Sequence, residues 1–462
     1  YDSVLDDSVL TANISGVDSL DVSGKSISDL TGIEDFAALT HLNCKTNALT
    51  SLDMSSNTAL NELKCQFNQL TSLDVSNNTA LTFLNCGAND LDTLDVSNNT
   101  ALITLNTFEN NLTSLEISTN TAIETMYCYD NQLTSLDVSG NTALTFLNCR
   151  DNNLTELDVS ANTALATLYC YSNQLTSLDV SGATALTLLN CYNNDLTVLD
   201  VTNNTALTTL ICRANQLTAL DLSNNTNLTD LRCQENLLTS IDLSANTALT
   251  KLWVHINQLT SLDLSANTAL NFLQCYNNQL TSLDVSGATA LDFLYCYDNQ
   301  LTALDVSNNT AITTMWCYDN QFTALDVSAL TALDFLNCHA NQLTALDLGN
   351  NTLLDDLSVV GNQLTELNLS ANAALTELKC ANNQLTSLDI SANTALTELK
   401  CANNQLTALD VSANTALTTL MCHSNPELYC IQVADVDQAE QDWGDDISTW
   451  MVFSTDCEGY VP

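Results

Sequence analysis

The most numerous reactive side chains in this sequence are its 18 cysteines, and 16 of them recur every 21 residues from Cys44 to Cys422. Three turns carry Thr107, Val254 or Val359 at that position instead. Zinc needs about four ligands that converge on one point, and one cysteine per turn does not converge. Stacked Cβ atoms at strand spacing also lie slightly beyond the ~3.5–4.5 Å of a disulfide. We therefore interpret the column as small buried hydrophobic residues, a role that Thr and Val can share.

Two cysteines and four histidines lie outside this explanation. Cys430 and Cys457 flank the last segment of the chain, and we predict a capping disulfide between them, which fits an oxidising extracellular setting. His255 and His339 share a column but are four turns apart, roughly 19 Å at strand spacing. That distance is too long for a shared metal ion.

Aromatic and basic side chains are concentrated at three positions of the repeat: three before, one before and one after the cysteine column. These positions hold 12 of the 13 Lys, Arg and His residues and 17 of the 26 aromatic residues. Tyr, Trp and Arg are enriched at binding hot spots, and aromatic rings also stack on sugars, so we predict a binding face for a protein or a surface glycan. The alternative is that neighbouring rings only stack on each other and stiffen the sheet. The candidate binding residues are Tyr127, Tyr129, Tyr169, Tyr171, Tyr192, Arg213, Arg232, Lys251, Trp253, Tyr276, Tyr295, Tyr297, Trp316 and Tyr318.

Acidic side chains form a second column. Every 21 residues from Asp53 to Asp410 the chain has Asp, except at Glu116 and Asn368. Neighbours about 5 Å apart are expected to raise some of the carboxyl pKa values. Ca²⁺ could bridge the column, but calcium takes 6–8 oxygen ligands, so we favour Ser and Thr hydroxyls as the partners of these carboxylates. We therefore predict no cofactor.

The charge balance and the missing motifs exclude several function classes. The formal net charge is -45, which repels nucleic acid and anionic lipid surfaces. Apolar residues occur in short pieces, so no membrane span is predicted. No nucleophile elbow, HExxH motif, phosphate loop or dinucleotide fingerprint is present. We predict that the chain is not an enzyme.

The elements that position these columns follow from the repeat L-x-x-L-x-C-x-x-N-x-L. Alternation along a strand places Leu84 and Cys86 inside and Phe83 and Asn85 outside. An Asn recurs three residues after the cysteine column, and its amide is expected to bond the backbone where the chain turns. The L-D-V-S half of each turn also alternates with period 2, which predicts a second extended stretch. The predicted fold is a β-rich leucine-rich-repeat solenoid, with a parallel sheet of about 19 L-x-C strands and a cap at each end.

The repeat with its L-T-x-L-D-V-S continuation resembles that of the cysteine-ladder internalins, which are secreted bacterial surface proteins. It is closer still to secreted leucine-rich-repeat proteins of Bacteroidota. Leu10–Leu30 and Cys430–Cys457 look like the terminal caps of those proteins, so we divide the chain into a cap (1–39), a solenoid of 21-residue turns (40–425) and a second cap (426–462). The resemblance implies a secreted or cell-surface recognition or adhesion module. The alternative is a structural spacer or an accessory subunit of an outer-membrane assembly.

Overall fold

The structure, a computed structural model, describes residues 10–444 and 447–458. Parts of both predicted caps, namely residues 1–9, 445–446 and 459–462, lie outside the described residues. The chain divides into two compact units, Tyr1–Leu228 and Thr229–Pro462. Each unit is a stack of short parallel strands, one for each turn of the repeat.

Within its described residues, the first unit has ten parallel strands on its main face. Strands of neighbouring turns pair in register, for example Phe83 with Thr104. The N-terminal cap joins this ladder, because Ser19 pairs with His41, after a short helix at Thr11–Ile14 and before a 3₁₀ turn at Ile33–Asp35. The strands are Ser19–Asp21, His41–Asn43, Glu62–Lys64, Phe83–Asn85, Thr104–Asn106, Thr125–Tyr127, Phe146–Asn148, Thr167–Tyr169, Leu188–Asn190 and Thr209–Ile211.

In the part of the second unit that the structure describes, there are also ten parallel strands on the main face: Asp230–Arg232, Lys251–Trp253, Phe272–Gln274, Phe293–Tyr295, Thr314–Trp316, Phe335–Asn337, Asp356–Ser358, Glu377–Lys379, Glu398–Lys400 and Thr419–Met421. Its C-terminal end adds a three-stranded sheet of Leu409–Asp410, Cys430–Gln432 and Val452–Ser454. The helix Val436–Trp443 packs there, capped by the Asp435 side chain, which accepts from the Gln438 N–H. A disulfide joins Cys430 to Cys457.

The L-D-V-S half of the turn is extended but rarely forms a regular ladder. Strand pairs occur there at Glu156–Asp158 with Ser177–Asp179 and at Ser261–Asp263 with Ser282–Asp284. The predicted fold is confirmed: it is a parallel β-solenoid with 19 L-x-C strands and little helix. The twentieth strand, contributed by the N-terminal cap, was not predicted.

The interior consists of the leucine, valine and cysteine columns. All 16 ladder cysteines are buried with free thiols, and Thr107, Val254 and Val359 are equally buried in the same column. Loss of water around the sulfur raises the pKa of Cys86 to about 12. The thiols are therefore neutral and act as small apolar side chains.

Two columns of asparagine tie each turn to the one before it. Asn68 donates from Nδ2 to the carbonyl oxygens of Cys44 and Cys65, at 3.1 and 3.0 Å, and its Oδ1 accepts from the Leu49 N–H. The second column was not predicted. There the fully buried Asn78 donates to carbonyl oxygens of Met54 and its neighbour Asn57. These bonds satisfy backbone groups that the tight turns leave without ladder partners.

Candidate ligand-binding face

The outward side chains of the L-x-C strands stand in columns because the strands pair in register. In the first unit this places Tyr127, Tyr129, Tyr169, Tyr171, Tyr192 and Arg213 on one face. In the second unit it groups Arg232, Lys251, Trp253, Tyr276, Tyr295, Tyr297, Trp316 and Tyr318. Each unit therefore carries its own set of aromatic and basic side chains.

In the first unit, arginines fill the gaps between rings. The Arg150 guanidinium lies 4.2 Å from the Tyr129 ring centroid and 5.6 Å from that of Tyr171. Tyr171 stacks on Tyr192 at 4.4 Å, and Arg213 covers Tyr192 at 4.4 Å. Arg150 was not among the candidate residues, although its column position marks it as one. Its guanidinium also contacts Asp130 at 3.3 Å, so it is already partnered.

In the second unit, five rings form a continuous stack in the column just after the cysteine. The order is His255, Tyr276, Tyr297, Tyr318 and His339, with centroids 4.2–4.3 Å apart and planes within 15° of parallel. Burial raises the pKa of Tyr276 and of Tyr297 to about 12. Both faces of the three tyrosine rings are covered, so a ligand can reach only their edges and hydroxyls.

The column just before the cysteine is packed less uniformly. Trp253 is covered by the Arg232 guanidinium at 4.4 Å and lies 5.0 Å from the Phe272 ring. Trp316 meets Tyr295 edge to face at 4.8 Å and 66°, and 40% of its surface remains exposed. The accessible aromatic surface is therefore concentrated at few places on the face.

The basic side chains in the last turns of the face are paired with carboxylates. Lys379 Nζ lies 2.6 Å from Glu377, 3.6 Å from Glu398 and 3.9 Å from Asp356. Lys400 lies 2.7 Å from Glu398. Exposed pairs of this kind contribute little to stability, about 0–1 kcal/mol each. This part of the face presents mixed hydrogen-bonding groups and not a positive patch.

The acidic column has the opposite titration behaviour from the one expected, so that prediction was wrong. The Asp305 pKa is lowered because the carboxylate accepts hydrogen bonds from the hydroxyl and the backbone N–H of Ser307. The same arrangement, with the backbone N–H bond as the largest cause, lowers the pKa of Asp53. Water surrounds these exposed side chains and screens the repulsion between neighbours, while the local hydrogen bonds persist.

No three His, Cys, Asp or Glu side chains in the described part of the chain lie together as a metal site requires. The acidic column in particular presents one carboxylate per turn, which does not assemble the 6–8 oxygens that calcium prefers. Within residues 10–444 and 447–458, no helix is long and apolar enough to cross a membrane.

Comparison with known proteins shows similarity to a protein of substantial identity. The functional domain of InlJ from Listeria monocytogenes, which includes a cysteine ladder, is 34% identical, with 90% of this chain and 75% of that chain covered and a TM-score of 0.46. A protein-family model described as the LVIVD repeat matches residues 281–320 of this chain. No curated protein matches significantly.

Two further solved structures share the fold at lower identity. A leucine-rich-repeat protein of Leptospira interrogans is 23% identical, with 73% of this chain and 94% of that chain covered and a TM-score of 0.62. The Arabidopsis receptor kinase HAESA, in complex with the peptide hormone IDA and the co-receptor SERK1, is 20% identical. Its match covers 96% of this chain and 92% of that chain with a TM-score of 0.60.

Proposed function

Because the chain belongs to the leucine-rich-repeat proteins that carry a cysteine ladder, at 34% identity over 90% of its length, we propose that it is a recognition module. In this proposal it binds an extracellular protein or glycan through the outward face of its L-x-C strands. The observation that carries the proposal is the concentration of aromatic and basic side chains on that face, which holds 17 of the 26 aromatic residues and 12 of the 13 Lys, Arg and His residues, while the rest of each repeat is nearly constant. Variation restricted to one face is how repeat proteins encode a partner.

The fold neighbours support recognition as the general role. HAESA, at 20% identity, is described in complex with a peptide hormone and a co-receptor. Likeness at that level concerns the fold, so the partner of this chain has to be inferred from its own side chains. Large aromatic surfaces beside polar groups are what binding hot spots use.

An extracellular or cell-surface location forms part of the proposal. The Cys430–Cys457 disulfide ties the C-terminal cap together, as expected where the surroundings are oxidising. The 16 free thiols are compatible with such surroundings because all of them are buried, and a buried neutral thiol is a poor nucleophile. We retain the division into caps and solenoid at residues 39 and 426 as a proposal as well.

A structural role is the second candidate, and the five-ring stack from His255 to His339 favours it. Continuous ring stacking stiffens neighbouring turns whether or not a ligand binds. In that case the chain would act as a spacer or as an accessory subunit of an outer-membrane assembly. Changes on the face would then leave binding unaltered.

The test compares two variants of the full chain. The face variant changes Tyr295, Tyr297, Trp316 and Tyr318 to Ala. The control variant changes the exposed Thr281, Thr302, Thr323 and Thr344 to Ala, which lie six residues after the cysteine column in the same and the adjoining turns. Binding to a glycan array and to solubilised bacterial surface proteins is measured by interferometry, with circular dichroism to verify folding. We expect the face variant to lose at least tenfold in affinity and the control to match the wild type. Equal binding by all three proteins would favour the structural role.

A further inference from the structure

In the second unit, the exposed aromatic surface lies near Trp316 and Phe335, where the outward aromatic columns end. The tyrosines of the five-ring stack have both faces covered, whereas Trp316 is 40% exposed and Phe335 is 38% exposed. The ring contacts of Trp316 are all with residues of the preceding turn, Tyr295 and Tyr297. Among the described residues Phe335 makes no ring contact. Two rings on adjacent strands, in different outward columns, therefore keep accessible surface where the aromatic columns end; such diagonal positions are ~7–8 Å apart, within reach of aromatic side chains.

Small polar side chains follow these rings in the next turns. The strand register places Asn337 beside Trp316, and Asp356 and Ser358 beside Phe335 and Asn337. Asn337 Oδ1 accepts from the His339 N–H at 3.3 Å and lies 2.7 Å from Nδ1 of the same residue. Its Nδ2 makes no hydrogen bond within the described part of the chain, so two N–H donors point away from existing partners.

The charged side chains next to Trp316 and Phe335 disfavour an ionic ligand. Lys379 is shared by Asp356, Glu377 and Glu398, so the cluster has no free cation to attract an anion. Partial burial raises the pKa of Asp356, with Lys379 opposing the shift, and its carboxylate is a desolvated hydrogen-bond acceptor. The chain as a whole has a formal net charge of -45, which repels sulfated and sialylated glycans.

We infer that Trp316, Phe335, Asn337 and Asp356 form a subsite for a neutral pyranose sugar of a glycan. A pyranose has a face of C–H bonds, which the negative face of an aromatic ring attracts, and a rim of hydroxyls that both donate and accept. The ring lies against Trp316 and Phe335, while its hydroxyls accept from Asn337 Nδ2 and donate to the Asp356 carboxylate. This inference rests on the proposed function and names the ligand class of the same face.

A peptide is the less suitable occupant. Added strands bind through unpaired backbone N–H and C=O groups at a sheet edge. Here the strand Phe335–Asn337 is paired on both sides, with Thr314–Trp316 and with Asp356–Ser358. Its backbone has no edge to offer, so binding depends on the outward side chains alone.

The experiment measures binding of the full chain to neutral oligosaccharides built from glucose, galactose, mannose or N-acetylglucosamine, with sulfated and sialylated counterparts as charge controls. Trp316→Ala removes the aromatic ring against which the sugar is proposed to lie, and Trp316→Phe retains an aromatic ring there. Trp450→Ala is the matched control, because that tryptophan is 49% exposed but lies in the C-terminal segment, outside the L-x-C strands. We expect binding to at least one neutral sugar, a loss of about tenfold or more in Trp316→Ala, and near wild-type affinity in the other two variants.

Other outcomes separate this inference from the proposed function. If surface proteins bind in a Trp316-dependent manner while no neutral oligosaccharide binds, the recognition role stands and the sugar subsite is rejected. Preference for the sulfated or sialylated glycans, or an equal loss in Trp450→Ala, also overturns the subsite. Absence of binding to every glycan and every surface protein overturns both proposals.

Discussion

At the scale of single residues, the acidic column shows how local hydrogen bonds outweigh like-charge repulsion. Each carboxylate accepts from the residue two positions on, as Asp305 does from the Ser307 N–H at 2.9 Å. The 21-residue period located the column correctly, but the prediction that some of its carboxyl pKa values are raised was wrong. The period gives the spacing of charges, whereas their hydration and their Ser partners become visible only with the backbone geometry.

We predict that Ser307→Ala raises the pKa of Asp305 relative to the intact protein. The hydroxyl is the largest cause of the lowered pKa and would be lost, but the backbone N–H bond would remain, so the pKa should stay below its ordinary value. NMR titration of the Asp305 carboxyl carbon measures the change. Ser328→Ala, one turn away, serves as the control and should leave Asp305 unaltered. An unchanged or further lowered Asp305 pKa in Ser307→Ala would contradict the hydrogen-bond explanation.

The sign of the linked stability follows from the lowered pKa. A carboxyl whose folded-state pKa is below its unfolded value stabilises the folded state above the unfolded pKa of about 3.9. That contribution disappears as the pH falls through the folded pKa. Ser307→Ala should therefore reduce stability at neutral pH and have a smaller effect in strong acid.

At the scale of the repeat, the buried asparagine column and the glycine before it depend on each other. Where Ala183 replaces the asparagine, the preceding Gly182 comes so close to the previous turn that a Cβ would lie 1.8 Å from the Ser160 carbonyl oxygen. Where Asn141 is present, the corresponding distance at Gly140 is 3.0 Å, to the Ser118 oxygen. Where the small Ala183 takes the place of the asparagine, the backbone closes the space and only glycine fits before it, whereas the larger Leu330 in the same column is preceded by Ala329.

Gly182→Ala should therefore destabilise the protein by about 1–3 kcal/mol, since overpacking forces the backbone apart. Gly140→Ala is the matched variant, and we expect a smaller effect because the neighbouring turn has to move by only tenths of an ångström. Loss of unfolded-state entropy favours both alanine variants by about 0.4–1 kcal/mol, which leaves the difference between them intact. Urea unfolding followed by circular dichroism gives both values. Equal midpoints for the two variants would show that the close approach at Gly182 is not a constraint.

Most of the element structure was predictable because the core repeats strictly. The cysteine column and the asparagine three residues later determine strand position, inward direction and turn. The strand Ser19–Asp21 escaped prediction because its turn lacks the cysteine and the leucine spacing that mark the others. Ring stacking at Tyr276 and Tyr297 was considered only as an alternative, since the column fixes which rings are neighbours but not the side-chain rotamers that bring their planes together. For the same reason, the exposure of Phe335 was not foreseen.

At the scale of the whole molecule, the chain has 54 acidic residues and only 9 Lys and Arg residues. The ion pairs at Lys379 and Lys400 are partly exposed and therefore weak. Repulsion among the remaining carboxylates is distributed over the chain and works against the folded state. Salt shortens the range of that repulsion, from about 30 Å at 0.01 M to about 8 Å at 0.15 M ionic strength.

The unfolding midpoint should therefore rise with NaCl over this range, opposite to the response of a protein held by exposed ion pairs. The same titration tests whether the acidic column binds cations. If the column only contributes charge, CaCl₂ at matched ionic strength should raise the thermal midpoint by the same amount as NaCl. A larger, saturable shift with calcium would indicate specific binding, because a ligand that prefers the folded state stabilises it beyond screening. A midpoint that falls with NaCl would contradict the dominance of repulsion and would indicate that the few ion pairs contribute more than their exposure suggests.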